Sequence, residues 1–145
     1  MTIRIAESGL PEALGEDREG LLRLSLKLDA AATGASGVLL LAGGPALAGA
    51  LGAPAGLPRP VGAFLAAYAA AIWLAGSRPR AVRPAARAAV ALNLLWVADS
   101  IALLAAGWFP LTGPGVAFVV AQAVAVALFA DLQLLGLRRA RPAIG

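Results

Sequence analysis

The chain has 145 residues, 60% of them hydrophobic and 14% charged, with twelve Lys and Arg against eight Asp and Glu and with neither Cys nor His. Soluble domains carry roughly a quarter charged residues, so this composition, with a mean hydropathy of +0.82, belongs to a bilayer. The missing residues exclude thiolate chemistry, iron–sulfur clusters, imidazole-held haem, His-built zinc sites and a Ser-His-Asp triad.

Residues 1–23 form a mixed-charge leader holding Arg4, Glu7, Glu12, Glu16, Asp17, Arg18, Glu19 and Arg23. Acidic residues precede the first apolar run, which is the wrong order for a signal peptide. Pro11 to Arg23 reads either as a short interfacial helix or as a flexible tail. The first span is expected over 24–51, rich in small residues, with Pro45 kinking or ending its central part because proline removes a backbone donor. A Gly/Pro-rich connection from Gly52 to Pro60 has Arg59 as its charge. The second span, 61–76, is near the lower length limit and should stand close to the membrane normal. The loop Ser77–Arg87 carries Arg78, Arg80, Arg83 and Arg87. The third span covers 88–109, an uncharged turn holds Pro110, Gly113 and Pro114, and the fourth covers 115–137. Residues 138–145 are a basic tail with Arg138, Arg139 and Arg141.

The expected fold class is therefore all-α, a four-transmembrane-helix bundle. Its basic residues lie before the first span, between the second and third, and after the fourth. Arg and Lys mark the cytoplasmic side, so both termini are expected in the cytoplasm of a bacterial inner membrane. The high charge of the flanks is an anchor to anionic headgroups rather than a nucleic-acid surface.

The halves also match each other. With Asp29 placed over Asn93, Ser36 falls on Ser100, Leu39-Leu40 on Leu103-Leu104 and Ala42-Gly43 on Ala106-Gly107. In the second helix of each half, Ala63-Phe64 fall on Ala117-Phe118 and Tyr68 on Gln122. Both halves start and end on one membrane side, so the expectation is a 2+2 parallel internal repeat. Ala and Leu matches are cheap in so biased a sequence; the polar and aromatic ones carry it. Close helix approach is expected along Ala30/Gly34 and Thr33/Gly37, along Ala67/Ala71/Ala75, and along Ala117/Ala121/Ala125.

Polar residues within a bilayer are costly and face the bundle interior or a cavity. Asp29 and Ser36 share a helix face with Thr33 between them, and Asn93 and Ser100 repeat that spacing. They read as a polar cavity lining or, more simply, as interhelical hydrogen bonds. Lys27 and Arg23, about one turn away, suggest a local ion pair for Asp29. Tyr68 and Gln122 read first as core residues, with a hydrogen bond across the pseudo-axis as the other reading, and Asp131 is expected to pair near Arg138. Asp99 differs: it stands near the middle of the third span and has Ala35 at the matching position of the first half. It is either neutral or paired with a cation, a water-filled cavity or a partner's residue. Trp73, Trp96 and Trp108 read as packing or interface anchors.

Leu22-Arg23-Leu24 before the first span, the Pro-rich turn and the Arg cluster between the second and third spans resemble the DoxX-like group among small, mostly uncharacterised bacterial four-helix membrane proteins. The resemblance covers the four spans and implies that layout; it carries no functional residue. Small multidrug exporters share the size but depend on a Glu in the first helix, and this chain has no Glu beyond Glu19. The reading that follows is a non-catalytic bundle without cofactor, haem or metal. It would act as an accessory or assembly subunit of a membrane complex or as a homo-oligomer, with lipids and other membrane subunits or itself as partners. The alternative is a small transporter or proton-coupled carrier using Asp99. A lipid-modifying enzyme lacks a convincing acid/base pair.

Overall fold

A computed structural model describes the backbone of residues 2–140 and the side chains of residues 19–140. The leader charges from Arg4 to Arg18 and the tail residue Arg141 thus lie outside the described side chains. Four helices follow one another: α1 (Thr2–Leu51), α2 (Pro58–Gly76), α3 (Val82–Ala106) and α4 (Gly113–Ala140). Each has a stretch long and apolar enough to cross a membrane, that of α1 being Glu19–Leu51. The fold is the expected all-α bundle.

The helix boundaries move from their expected places for local reasons. The leader and the first span are one α-helix, broken only at Gly44 (φ 46°, ψ −133°). Pro45 bars the residue before it from helical geometry, and glycine is the residue that tolerates a positive φ. α2 starts at Pro58, whose missing N–H belongs to the first turn, where no partner was available. It is therefore longer than a span starting at Val61. α3 starts at Val82, with Pro84 again inside the first turn. It stops at Ala106, because Gly107 turns left-handed (φ 62°) and its N–H caps the Leu103 carbonyl, as glycine does at helix ends. Trp108 and Phe109 consequently lie in the loop rather than in the third span. α4 is capped by Thr112, whose Oγ1 accepts from the Gly115 N–H at 3.1 Å, a usual threonine role. The same hydroxyl donates to the Ala50 carbonyl at 2.7 Å, tying the start of α4 to the end of α1. Arg138 and Arg139 are the last turn of α4, not part of a separate tail, and complement its carbonyl end.

Packing is uneven around the bundle. α1 lies between α2 and α4, and α3 packs on the far side of α4. α2 and α3, although joined by the short loop Ser77–Ala81, barely touch. One side of the bundle is therefore open. A strict two-fold arrangement of the hairpins would close α2 on α3 as α4 closes on α1.

α1 and α2 cross at close range. A Cβ on Gly62 would stand 2.7 Å from the Gly37 carbonyl oxygen and 2.8 Å from the Leu41 nitrogen, and a Cβ on Gly37 would stand 2.8 Å from the Ala66 nitrogen. The expected Thr33/Gly37 face is thus used. The Ala67/Ala71/Ala75 stripe is not: α2 buries Gly62, Leu65, Ala69, Ile72 and Gly76 instead. Likewise Ala117 and Ala121 are exposed, while α4 buries Gly115, Val126, Ala130, Gln133, Gly136 and Ala140. In both helices the alanine stripe is displaced because a glycine-centred face allows closer backbone approach.

The core is made largely of small residues (Ala30, Ala48, Ala69, Ala86, Ala89, Ala130), whereas Leu24, Val38, Leu94, Leu95, Ile101 and Leu128 point outward. A water-soluble protein does not leave so much apolar surface uncovered. Lipid tails solvate it without cost, and small residues inside give the helices their packing. At the Arg-rich end, Arg83 reaches Glu19 at 3.4 Å and the Ala140 carbonyl at 2.6 Å, joining α1, α3 and α4.

Candidate functional site: a buried polar node and an open cleft

Asp29 is fully buried. It shares the inward stripe of α1 with Leu22, Leu26 and Thr33, at the three- and four-residue spacings of one helix face. All four helices send a donor to it. Thr33 Oγ1 donates to Oδ1 at 3.0 Å. The other oxygen, Oδ2, accepts from the Tyr68 hydroxyl at 3.0 Å, from Asn93 Nδ2 at 2.9 Å and from Gln133 Nε2 at 2.9 Å. The second proton of Asn93 Nδ2 goes to Gln133 Oε1 at 3.1 Å. Asn93 Oδ1 lies 3.3 Å from the Tyr68 hydroxyl, whose single proton already has the nearer carboxylate oxygen. Hydroxyls and amides thus complete the hydrogen bonding of a carboxylate, and among the described residues no buried side-chain nitrogen or oxygen lacks a partner.

The local ion pair expected for Asp29 is absent. Arg23 pairs with Glu19 at 3.4 Å, and the Lys27 ammonium sits 5.3 Å from the centre of the Trp73 ring. Both cations leave α1 on faces other than the one carrying Asp29. The pairing of Tyr68 with Gln122 is also not formed. Tyr68 turns to Asp29, and Gln122 donates instead to Ser36 Oγ, which itself donates to the Ala32 carbonyl at 3.0 Å. Ser100 bonds back to its own helix, at the Trp96 carbonyl, 2.7 Å away. Of the candidate positions, then, Asp29, Asn93 and Tyr68 converge, Ser36 and Gln122 form a second, smaller pair, and Ser100 is local. Asp131 is exposed, and no ion pair reaches it among the described residues.

Gln133 is the node member that sequence reasoning did not place. A signal existed. Gln133 follows Phe129 at the spacing by which Tyr68 follows Phe64, and its offset from Tyr68 nearly equals that of Asn93 from Asp29.

Asp99 stands apart. It is exposed, and among the described residues no hydrogen bond or ion pair reaches its carboxylate. With a rise of about 1.5 Å per residue, it is about 9 Å farther along α3 than Asn93. It borders two cavities on the open α2/α3 side. One, about 200 Å³, is bounded by Thr33, Phe64, Tyr68, Asn93, Trp96 and Gln122. The other, about 290 Å³, is bounded by Val61, Leu103, Phe109, Leu111, Phe118 and Val119 among others. Trp96 and Asp99 belong to both, so the two cavities meet there.

No family model, no curated protein and no solved structure matches this chain. The site is therefore characterised by its own residues. It offers a hydrogen-bonded node that braces the inside of the bundle and one carboxylate without a described partner in a mainly apolar cleft beside it. The node's hydrogen bonds run mainly among its own members, although Tyr68 and Asn93 also line the smaller cavity. The cleft can bind.

Proposed function

We propose that this chain is a non-catalytic integral membrane subunit, an accessory or assembly component that presents its α2/α3 side to another membrane chain. The observation that carries this reading is Asp99, exposed near mid-span on the side of the bundle that its own helices leave open. An Asp at the centre of a bilayer costs about 3 kcal/mol even on insertion scales. A partner that supplies donors there removes that cost. The interior polar groups support the same reading, since they are spent on holding the four helices together. We also propose that the two hairpins are repeats, with Asp29 of one half over Asn93 of the other and Tyr68 over Gln122.

Extraction of the tagged full chain from its native membrane in mild detergent tests the subunit reading. A partner chain in fixed stoichiometry, or a defined oligomer, is the expected result. A stable monomer, together with an intact set of membrane complexes after deletion of the gene, contradicts it.

A second reading, a small proton-coupled carrier, is favoured by one observation. The smaller cavity joins Asp99 to the hydroxyl and amide groups of Tyr68 and Asn93. It predicts that Asp99→Asn abolishes coupled flux in proteoliposomes, and unchanged flux ends it.

A further inference from the structure

We infer that the α2/α3 cleft seats a transmembrane helix of a different chain, carrying one Lys or Arg at the depth of Asp99. This rests on the subunit reading and specifies the partner. The charge arrangement points to it. Every described Arg and Lys of this chain lies toward an end of the bundle. Arg87 is the nearest on the same helix, and the helical rise puts it about 18 Å from Asp99 along the axis. Arg59 lies toward the other end, its guanidinium packed beside Gly44. A second copy inserted in the same orientation brings no cation to this depth and would set one Asp99 carboxylate in the apolar surroundings of another molecule. The complementary charge therefore comes from a different chain.

The shape of the cleft fits a helix. Its α3 wall runs from Leu92 to Leu103, a rise of about 17 Å. The two cavities meet at Trp96 and Asp99 along that wall, and both also take lining residues from α2. Lining groups other than Asp99 are mainly aliphatic and aromatic, so a row of apolar side chains with one cation in its middle matches the surface. Trp96, beside Asp99 in both cavities, is an aromatic ring of the kind that attracts a cation.

The test uses the full chain in lipid vesicles, labelled for energy transfer, with synthetic Leu/Ala transmembrane peptides as probes. A peptide with one central Lys is expected to associate at least tenfold more tightly than the same peptide with a central Leu. Asp99→Asn removes that difference, Asp99→Glu keeps it, and Asp99→Lys shifts the preference to a central Glu. Thermal unfolding of each variant confirms that the bundle persists, as expected for an exposed, unpaired side chain. Equal binding of the Lys and Leu peptides overturns the inference. So does a Lys advantage that survives Asp99→Asn, or displacement of the Lys peptide by micromolar tetraphenylphosphonium, which would reassign the cleft to small organic cations. A native partner that stays bound to the Asp99→Asn protein leaves the subunit reading standing while this inference falls.

Discussion

Asp29 and Asp99 have the same side chain and opposite surroundings. Asp29 receives four donors and is sealed from every solvent; Asp99 receives none among the described residues and opens to the cleft. Removing the first should therefore affect stability, and removing the second should affect association. Asp29→Leu strands one amide proton each of Asn93 and Gln133 and leaves the Tyr68 hydroxyl only the longer contact to Asn93 Oδ1 at 3.3 Å. An unsatisfied buried donor costs about 1–3 kcal/mol, so a loss of about 3 kcal/mol is expected in detergent unfolding. Asp29→Asn should cost less, because one oxygen remains to accept. A Leu variant as stable as the native chain would show that the node braces nothing. The sequence makes these residues visible as intramembrane polar groups but hides their convergence. Arg23 and Lys27 are near Asp29 along the chain, yet the inward stripe runs through Leu22, Leu26, Asp29 and Thr33, and neither cation lies on it. For Gln133, near the basic end of α4, only its spacing from Phe129 speaks for the node.

At the scale of the helix, glycine and threonine do what alanine stripes were expected to do. Gly62→Val should break the α1/α2 crossing, since any Cβ there meets the backbone of Gly37 and Leu41 at 2.7 and 2.8 Å. Overpacking of this kind costs typically about 1–3 kcal/mol, to be read as a lowered unfolding midpoint. A control change at Gly49, where an added Cβ meets nothing within 4 Å, should be far milder. Thr112→Ala removes both the α4 cap and the bond to Ala50, for a loss of about 1 kcal/mol. Helix number and type are legible because each apolar run meets a bilayer's need and is bounded by Pro, Gly or Arg. Helix ends are not, because proline in a first turn looks like a break in sequence and is a start in structure. The faces used are hidden for a similar reason: alanine is small enough to pack on either side, so its periodicity does not select one.

For the whole molecule, the apolar outer surface and the small-residue interior both call for lipid, and the Arg-rich end sets the expected orientation. The chain has no Cys, so single cysteines placed at Ser77 and at Ala55 report without interference. Ser77→Cys is expected to be labelled only from the cytoplasmic face and Ala55→Cys only from the opposite one; the reverse pattern would invert the topology. Hairpin pairing and four spans follow from alternating loops, whereas the open α2/α3 side does not, because no local signal in the sequence says which neighbouring helices part. The decisive measurement for that side is site-specific photocrosslinking in native membranes. A photoreactive residue at Leu95, on the wall of the cleft beside Trp96 and Asp99, should capture one defined membrane protein, while the same residue at Leu128, exposed on α4, should capture lipid. Lipid alone at both positions would contradict a docking role for the cleft.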